Sequence, residues 1–225
     1  QALILAGQVL VGGQVASKAG QRLDPAAELS LKGADHPYVS RGGLKLAGAL
    51  DVFALEVAGK SALDVGASTG GFTDCLLQRG ARHVYAVDVG YGQLAWKLRQ
   101  DPRVTVIERT NIRSLTTDQV PAVLDLATID TSFISLKIVV PATLPFLKPG
   151  GTILALIKPQ FEVGRGKVGK GGVVRDPRQR EAVIEDLQHF FSEQALSCGP
   201  VTPSPIKGPK GNQEYVILLR RPLSD

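Results

Sequence analysis

The segment Asp64-Val65-Gly66-Ala67-Ser68-Thr69-Gly70-Gly71 follows a short apolar run, Ser61 to Val65, and leads into a helical pattern through Leu76 and Leu77. A strand, a glycine-rich turn and a helix in that order gather backbone N–H groups and a helix N-terminus at one point. Asp88 ends the next strand, 24 residues beyond Asp64, where a carboxylate can accept hydrogen bonds from two ribose hydroxyls. The arrangement fits a nucleoside-bearing cofactor. A dinucleotide site wants G-x-G-x-x-G, and Gly66-x-Ser68-x-Gly70-Gly71 does not supply it. Asp64 stands just before the first glycine, where it would repel a phosphate and favour a cation. S-adenosylmethionine carries no phosphate but does carry a sulfonium and an ammonium, so the loop suits that cofactor. Gly66-x-Ser68-x-Gly70 also matches a nucleophile elbow. A hydrolase would then need a later histidine, and the one that follows, His189, lies inside an amphipathic helical pattern.

These residues need a scaffold, and from Ser40 onward the pattern alternates strands and helices. Ser40 can cap a helix through Leu44, Leu46, Leu50 and Phe53. Strands are expected at Ser61 to Val65, His83 to Val89, Val104 to Glu108, Val123 to Ile129, Thr152 to Ile157 and Glu214 to Leu219. Helices are expected around Leu94 to Leu98, over Ile134 to Leu147, and from Pro177 through Phe191. Repeated β-α units make a mostly parallel sheet with helices on both faces, a Rossmann-like α/β fold, whose ligands bind at the carboxyl ends of the strands. Asp88, Asp130 and Lys158 all end strands. Glu214 opens the last strand, and Lys45 lies on the helix before the first.

Residues 1–33 read differently. A helix tail stops at Gly7, Val9 and Val11 alternate into a Gly12-Gly13 hairpin signal, and Lys18 to Leu23 reads as a short turn and strand. The segment is too small to hold a core alone, and methionine is absent even at position 1, so it reads as the remainder of a small α+β domain truncated at its N-terminal side. Residues 34–39 read as a linker and 40–225 as the main domain.

Read together, Ser40-Arg41-Gly42-Gly43-Leu44-Lys45-Leu46, Asp64 through Asp74, Ile129-Asp130-Thr131-Ser132-Phe133-Ile134-Ser135-Leu136, Lys158-Pro159-Gln160-Phe161-Glu162 and Asn212-Gln213-Glu214-Tyr215 resemble the TlyA family. Its members carry hemolysin-type names but are ribosomal RNA 2′-O-methyltransferases related to FtsJ. The resemblance implies a class I methyltransferase domain preceded by an RNA-binding domain shared with a small-subunit ribosomal protein. It also implies a Lys-Asp-Lys-Glu tetrad at Lys45, Asp130, Lys158 and Glu214. A ribose 2′-hydroxyl is a poor nucleophile until its proton is removed. Lys158 is the candidate general base, favoured in its neutral form by Lys45 and partial desolvation. Asp130 and Glu214 would hold the two amines, and Lys45 would steer the hydroxyl. On the cofactor side the resemblance implies Asp64, Gly66, Ser68, Gly70, Gly71 and Phe72, with Asp88 at the ribose. Asn111 or Ile112 either meets the adenine or caps the loop after the third strand.

Charge adds a weaker signal. Net charge is +5 and the pI near 9.3, which favours a polyanionic partner. Lys158 to Arg180 holds seven basic residues against two acids and is glycine-rich, so it reads as a mobile positive loop. Lys18, Arg22, Arg41, Arg165, Lys167, Lys170 and Arg175 are candidate RNA contacts. Cys75 and Cys198 read as buried thiols in a reducing cytoplasm, and no histidine has the neighbours of a metal site. Apolar runs are shorter than a membrane span. The expectation is a cytoplasmic, monomeric, S-adenosylmethionine-dependent enzyme acting on ribosomal RNA or subunits. The alternatives are a non-catalytic RNA-binding or ribosome assembly factor and a hemolysin-like membrane-active protein.

Overall fold

The computed structural model describes residues 2–5, 7–16, 18, 20–31, 36–120, 123–164, 168–169, 171–208 and 210–223. The chain divides into two units, Gln1–Pro37 and Tyr38–Asp225. In the first, α1 (Ala2–Leu5) precedes β1 (Val9–Val11), β2 (Gln14–Val15) and β3 (Leu29–Leu31), with β1 central and antiparallel to both neighbours. The Gly12-Gly13 turn is as expected, but the third strand is Leu29–Leu31 and not Lys18 to Leu23. The polar 18–23 stretch offers no alternating apolar face. Asp24 then reverses the chain, its carboxylate accepting from the Ala26 N–H at 2.8 Å.

The second unit runs α2 (Gly42–Val52), β4 (Ser61–Val65), α3 (Gly71–Gln78), β5 (His83–Val87), α4 (Trp96–Arg99), β6 (Val104–Ile107), β7 (Leu124–Ile129), α5 (Leu136–Thr143), β8 (Leu147–Ile157), α6 (Pro159–Glu162), α7 (Pro177–Glu193), β9 (Ser197–Pro203) and β10 (Tyr215–Arg220). The sheet order is β6-β5-β4-β7-β8-β10-β9. Pairings are parallel from β6 through β8, and β10 is antiparallel to both β8 and β9, so one strand of seven runs against the rest.

Period-two alternation sends each strand's side chains to two cores. Leu63, Val65, Ile153, Ala155, Ile157, Ile217 and Leu219 pack with α5 and α7 through Val139, Leu187 and Phe191. Ala62, Leu154, Leu156, Val216 and Leu218 pack with α2 and α3 through Leu46, Leu50, Phe72 and Leu76. Helices therefore cover both faces, the mostly parallel α/β layering expected.

Three elements differ from expectation. The helix expected over Ile134 to Leu147 ends at Thr143 and tightens into a 3-10 turn over Leu144–Phe146; Pro141 and Pro145 each remove an N–H donor. β9 is not among the expected strands, since it carries Gly199, Pro200 and Pro203, yet it sits at the sheet edge, where missing donors are tolerated. The stretch from Lys158 to Arg180 is not one loop: it holds α6 and the first turn of α7, and Lys158 itself is buried. Of the two thiols, Cys75 is buried and burial pushes it up to about 11, whereas Cys198 on the edge strand is only half-buried.

Candidate active site

The carboxyl ends of β4, β7 and β8 and the amino end of the reversed β10 share one edge of the sheet. That edge collects the Gly66–Phe72 turn, Asp130, Lys158 and Glu214, while α2 brings Lys45. All border one cavity of about 720 Å³, within the usual range for a small-molecule site. The sheet order reverses between β4 and β7, so this is also the switch point at which such sheets bind ligands.

The tetrad resolves into two ion pairs. Lys45 Nζ donates to Glu214 Oε2 at 2.6 Å, and Glu214 is 1% exposed. Lys158 Nζ lies 2.6 Å from Asp130 Oδ1 and donates to Ser132 Oγ at 3.0 Å. Buried charges are tolerated when paired this closely. Gly208 packs directly on the Glu214 carboxylate, and a Cβ there would collide with Oε1. The reversed strand is what makes the constellation possible: its first residues, not its last, reach the edge that carries the cavity.

The glycine turn is held from both sides. Gly66 has φ +86°, and a Cβ there would sit 2.6 Å from the Asp130 carbonyl oxygen, so the close approach of the β4 and β7 ends demands glycine. The Gly66 and Ala67 N–H groups donate to Val87 O at 2.8 and 3.1 Å. Ser68 N–H donates to Asp88 Oδ2 at 2.8 Å and Gly90 N–H to Asp88 Oδ1 at 2.7 Å. Both Asp88 oxygens keep lone pairs for further donors. Asp64 is placed differently from the expectation of a cavity carboxylate. As an even-numbered β4 residue it faces α3, fully buried, accepting from Thr73 Oγ1 at 2.7 Å and Thr128 Oγ1 at 3.1 Å, and burial lifts it to about 6. The turn has no basic residue and is flanked by acids, which fits a phosphate-free, cationic nucleoside better than a dinucleotide.

Other expected residues fall out unevenly. Gly66, Ser68, Gly71, Phe72 and Arg41 line the cavity. Asn111 caps the 3-10 turn Ile112–Ser114 by accepting from the Arg113 N–H at 3.0 Å, and Ile112 packs into the core, so the loop-cap alternative describes Asn111. Arg175 is exposed away from the lining, Lys18 and Arg22 are exposed in the first unit, and Arg165, Lys167 and Lys170 lie outside the described residues. Ser68 Oγ donates to Gln93 Oε1 at 3.2 Å, while His189 pairs with Glu193 on α7, so the elbow reading has no histidine to draw on.

Several lining residues were not singled out from the sequence. Ser132, Phe133 and Phe161 lie within quoted motifs. Phe133 is 89% exposed with φ +65°, a left-handed conformation costly for a bulky residue, and its ring lies 4.9 Å from that of Phe161. Lys207 and Lys210 also line the cavity. They stand in the Pro-Gly-rich turn before β10, and the signal that could have found them was proximity to Glu214.

A parallel sheet with one reversed strand, a glycine turn after the first strand of the unit and paired lysines and acids at the switch point define a Rossmann-like methyltransferase domain. The chain belongs to the FtsJ-like methyltransferase family, whose model matches residues 38–221. It is 48% identical over 219 residues to the 16S/23S rRNA (cytidine-2′-O)-methyltransferase TlyA of Mycobacterium tuberculosis, covering 97% of this chain and 82% of that protein. It is 41% identical over 224 residues to Hemolysin A of Brachyspira hyodysenteriae, covering 96% and 90%. A solved structure from Streptococcus thermophilus superposes with a TM-score of 0.83 at 45% identity, covering 99% of this chain and 82% of that one. No helix among the described residues is long and apolar enough to cross a membrane.

Proposed function

We propose that the protein methylates a ribose 2′-hydroxyl of ribosomal RNA with S-adenosylmethionine as donor, working as a monomer in the cytoplasm. The observation that carries the reading is the pair of lysine–carboxylate contacts, Lys45–Glu214 and Lys158–Asp130, on the cavity that the Gly66–Phe72 turn also lines.

The cofactor's contribution is an electrophilic methyl on a sulfonium. This chain's residues do the rest. Gly66 and Gly71 border the cofactor's place beside Phe72, Gly70 instead gives way to Leu94 and Leu98 behind the turn, and Asp88 accepts from the ribose hydroxyls. Once the Lys158 ammonium has passed a proton to Asp130, its neutral Nζ takes the proton of the attacking hydroxyl. Asp130 Oδ1, in contact at 2.6 Å, is the atom to which that amine can pass a proton, and Ser132 fixes its direction. Lys45, held by Glu214, donates to the substrate oxygen as charge builds there. Holding the hydroxyl in line with the methyl supplies much of the remaining acceleration. Phe133 and Phe161 offer an aromatic wall on which a nucleobase can stack.

The test is transfer of isotope-labelled methyl from S-adenosylmethionine to purified ribosomal subunits, followed by nucleoside digestion. Label in 2′-O-methyl nucleosides supports the reading. Tight RNA binding without any incorporated label would favour an assembly factor, and leakage of lipid vesicles without methylation would favour a membrane-active protein.

A further inference from the structure

We propose that Lys207 and Lys210 form a phosphodiester seat at the mouth of the cavity, gripping the RNA strand beside the target nucleotide. The inference builds on the ribosomal RNA methyltransferase reading above.

The argument begins with charge. Arg41, Lys45, Lys158, Lys207 and Lys210 line the cavity against two acids, Asp130 and Glu214. Each acid is already paired, with Lys158 and Lys45 respectively. Arg41, Lys207 and Lys210 take part in none of the ion pairs among the described residues, and all three are exposed. The cavity thus carries three surplus positive charges. A sulfonium cofactor does not call for them, because it brings two positive charges of its own and a single carboxylate. That carboxylate can satisfy one cation at most, and the remaining surplus suits a second anion.

Position then separates the two lysines from the cofactor. Along the sheet edge the order β4, β7, β8, β10 sets the Gly66–Phe72 turn at one end and the 206–212 turn at the other. Phe133 and Phe161, which follow β7 and β8, come between. A nucleotide whose base rests on those rings and whose hydroxyl meets Lys158 would carry its phosphate toward Lys207 and Lys210.

Described residues beside the two lysines are held by hydrogen bonds. Gly208 N–H donates to Asn212 O at 2.9 Å, and Gly211 N–H to Gly208 O at 2.8 Å. The buried Asn212 side chain accepts from the Val174 N–H and donates to Gly172 O, both at 2.9 Å. Its far end leads straight into Glu214. Gly208 beside Lys207 and Gly211 beside Lys210 are therefore tied down close to Glu214, while the lysine amines keep the reach needed to meet a phosphate oxygen.

The test uses the full chain and purified 16S and 23S ribosomal RNA, with Lys207→Gln, Lys210→Gln and the doubly substituted protein. RNA affinity is measured across a salt series, S-adenosylmethionine affinity by calorimetry, and the fold by thermal melting. Each substitution is expected to flatten the slope of log affinity against log salt by about 1. The double variant raises KM for RNA several-fold, with S-adenosylmethionine affinity and melting unchanged. An unaltered salt slope would overturn the seat and leave two solvated lysines. A loss confined to S-adenosylmethionine affinity would overturn it too, by assigning the amines to the cofactor carboxylate. Wild-type methyl transfer is scored separately: a flattened slope in a protein that transfers no methyl would uphold the seat while the enzyme reading fails.

Discussion

Ser135 Oγ donates to Glu162 Oε2 at 2.6 Å, and the Leu136 N–H donates to the other oxygen at 2.9 Å. One carboxylate from α6 thereby closes the loop that leaves β7. The same two segments meet at Asp130–Lys158, Ser132–Lys158 and Phe133–Phe161. Glu162 lies off the cavity lining and acts through the residues it holds. Glu162→Ala is expected to raise KM for RNA and lower kcat together, with S-adenosylmethionine affinity unchanged. Glu162→Gln keeps one acceptor oxygen and should recover part of the loss. Equal effects of the two substitutions on both parameters would reduce Glu162 to a folding role.

The Lys45–Glu214 pair predicts a split between stability and activity. Lys45→Met strands a carboxylate that is 1% exposed and is expected to cost about 3–5 kcal/mol in urea unfolding. Lys45→Met combined with Glu214→Leu should regain most of that stability and remain inactive. A double variant that regained methyl transfer as well would show the pair to be structural only.

Phe133 predicts the opposite split. Its left-handed backbone costs about 1–2 kcal/mol with a side chain and nothing with glycine. Phe133→Gly should therefore keep its melting temperature close to that of the wild type, offsetting the lost contact with Phe161. Stacking of a base on an aromatic ring contributes about 1–3 kcal/mol, so KM for RNA should rise roughly 5-fold to 150-fold. An unchanged KM would remove Phe133 from the substrate path.

Asp64 predicts a pH signature in stability. Its carboxyl is raised to about 6 by burial, above its unfolded value. Its contribution is thus fully present below about pH 4 and is lost as pH rises through 6. Relative to Asp64→Asn, which lacks this titration, the wild type should lose stability on the order of 3 kcal/mol between pH 4 and 7. A pH-independent difference in denaturant melts would show that Asp64 titrates normally.

Most of the scaffold was legible because parallel strands buried on both faces leave continuous apolar runs, as at Ser61–Val65 and Leu124–Ile129. β9 was not, since an edge strand can carry proline and glycine and so looks like a loop. Lys45, Asp130, Lys158 and Glu214 were findable from strand ends and motifs. Their division into two pairs was not, because it depends on β10 running antiparallel, a tertiary fact absent from local pattern. Asp64 misled for the opposite reason. Its place in the chain beside the glycine turn suggested the cavity, whereas strand alternation turned it toward Thr73. Lys207 and Lys210 stand only seven and four residues before Glu214, a nearness that gains meaning once the sheet order places Glu214 at the site.

The account turns on Lys158 as the group that accepts the hydroxyl proton. Single-turnover methyl transfer to ribosomal RNA at saturating S-adenosylmethionine, comparing wild type with Lys158→Ala, tests it most directly. The expected result is a rate lower by about 10²–10⁴-fold with cofactor affinity preserved. A Lys158→Ala protein that methylates the same ribose at the wild-type rate would contradict it.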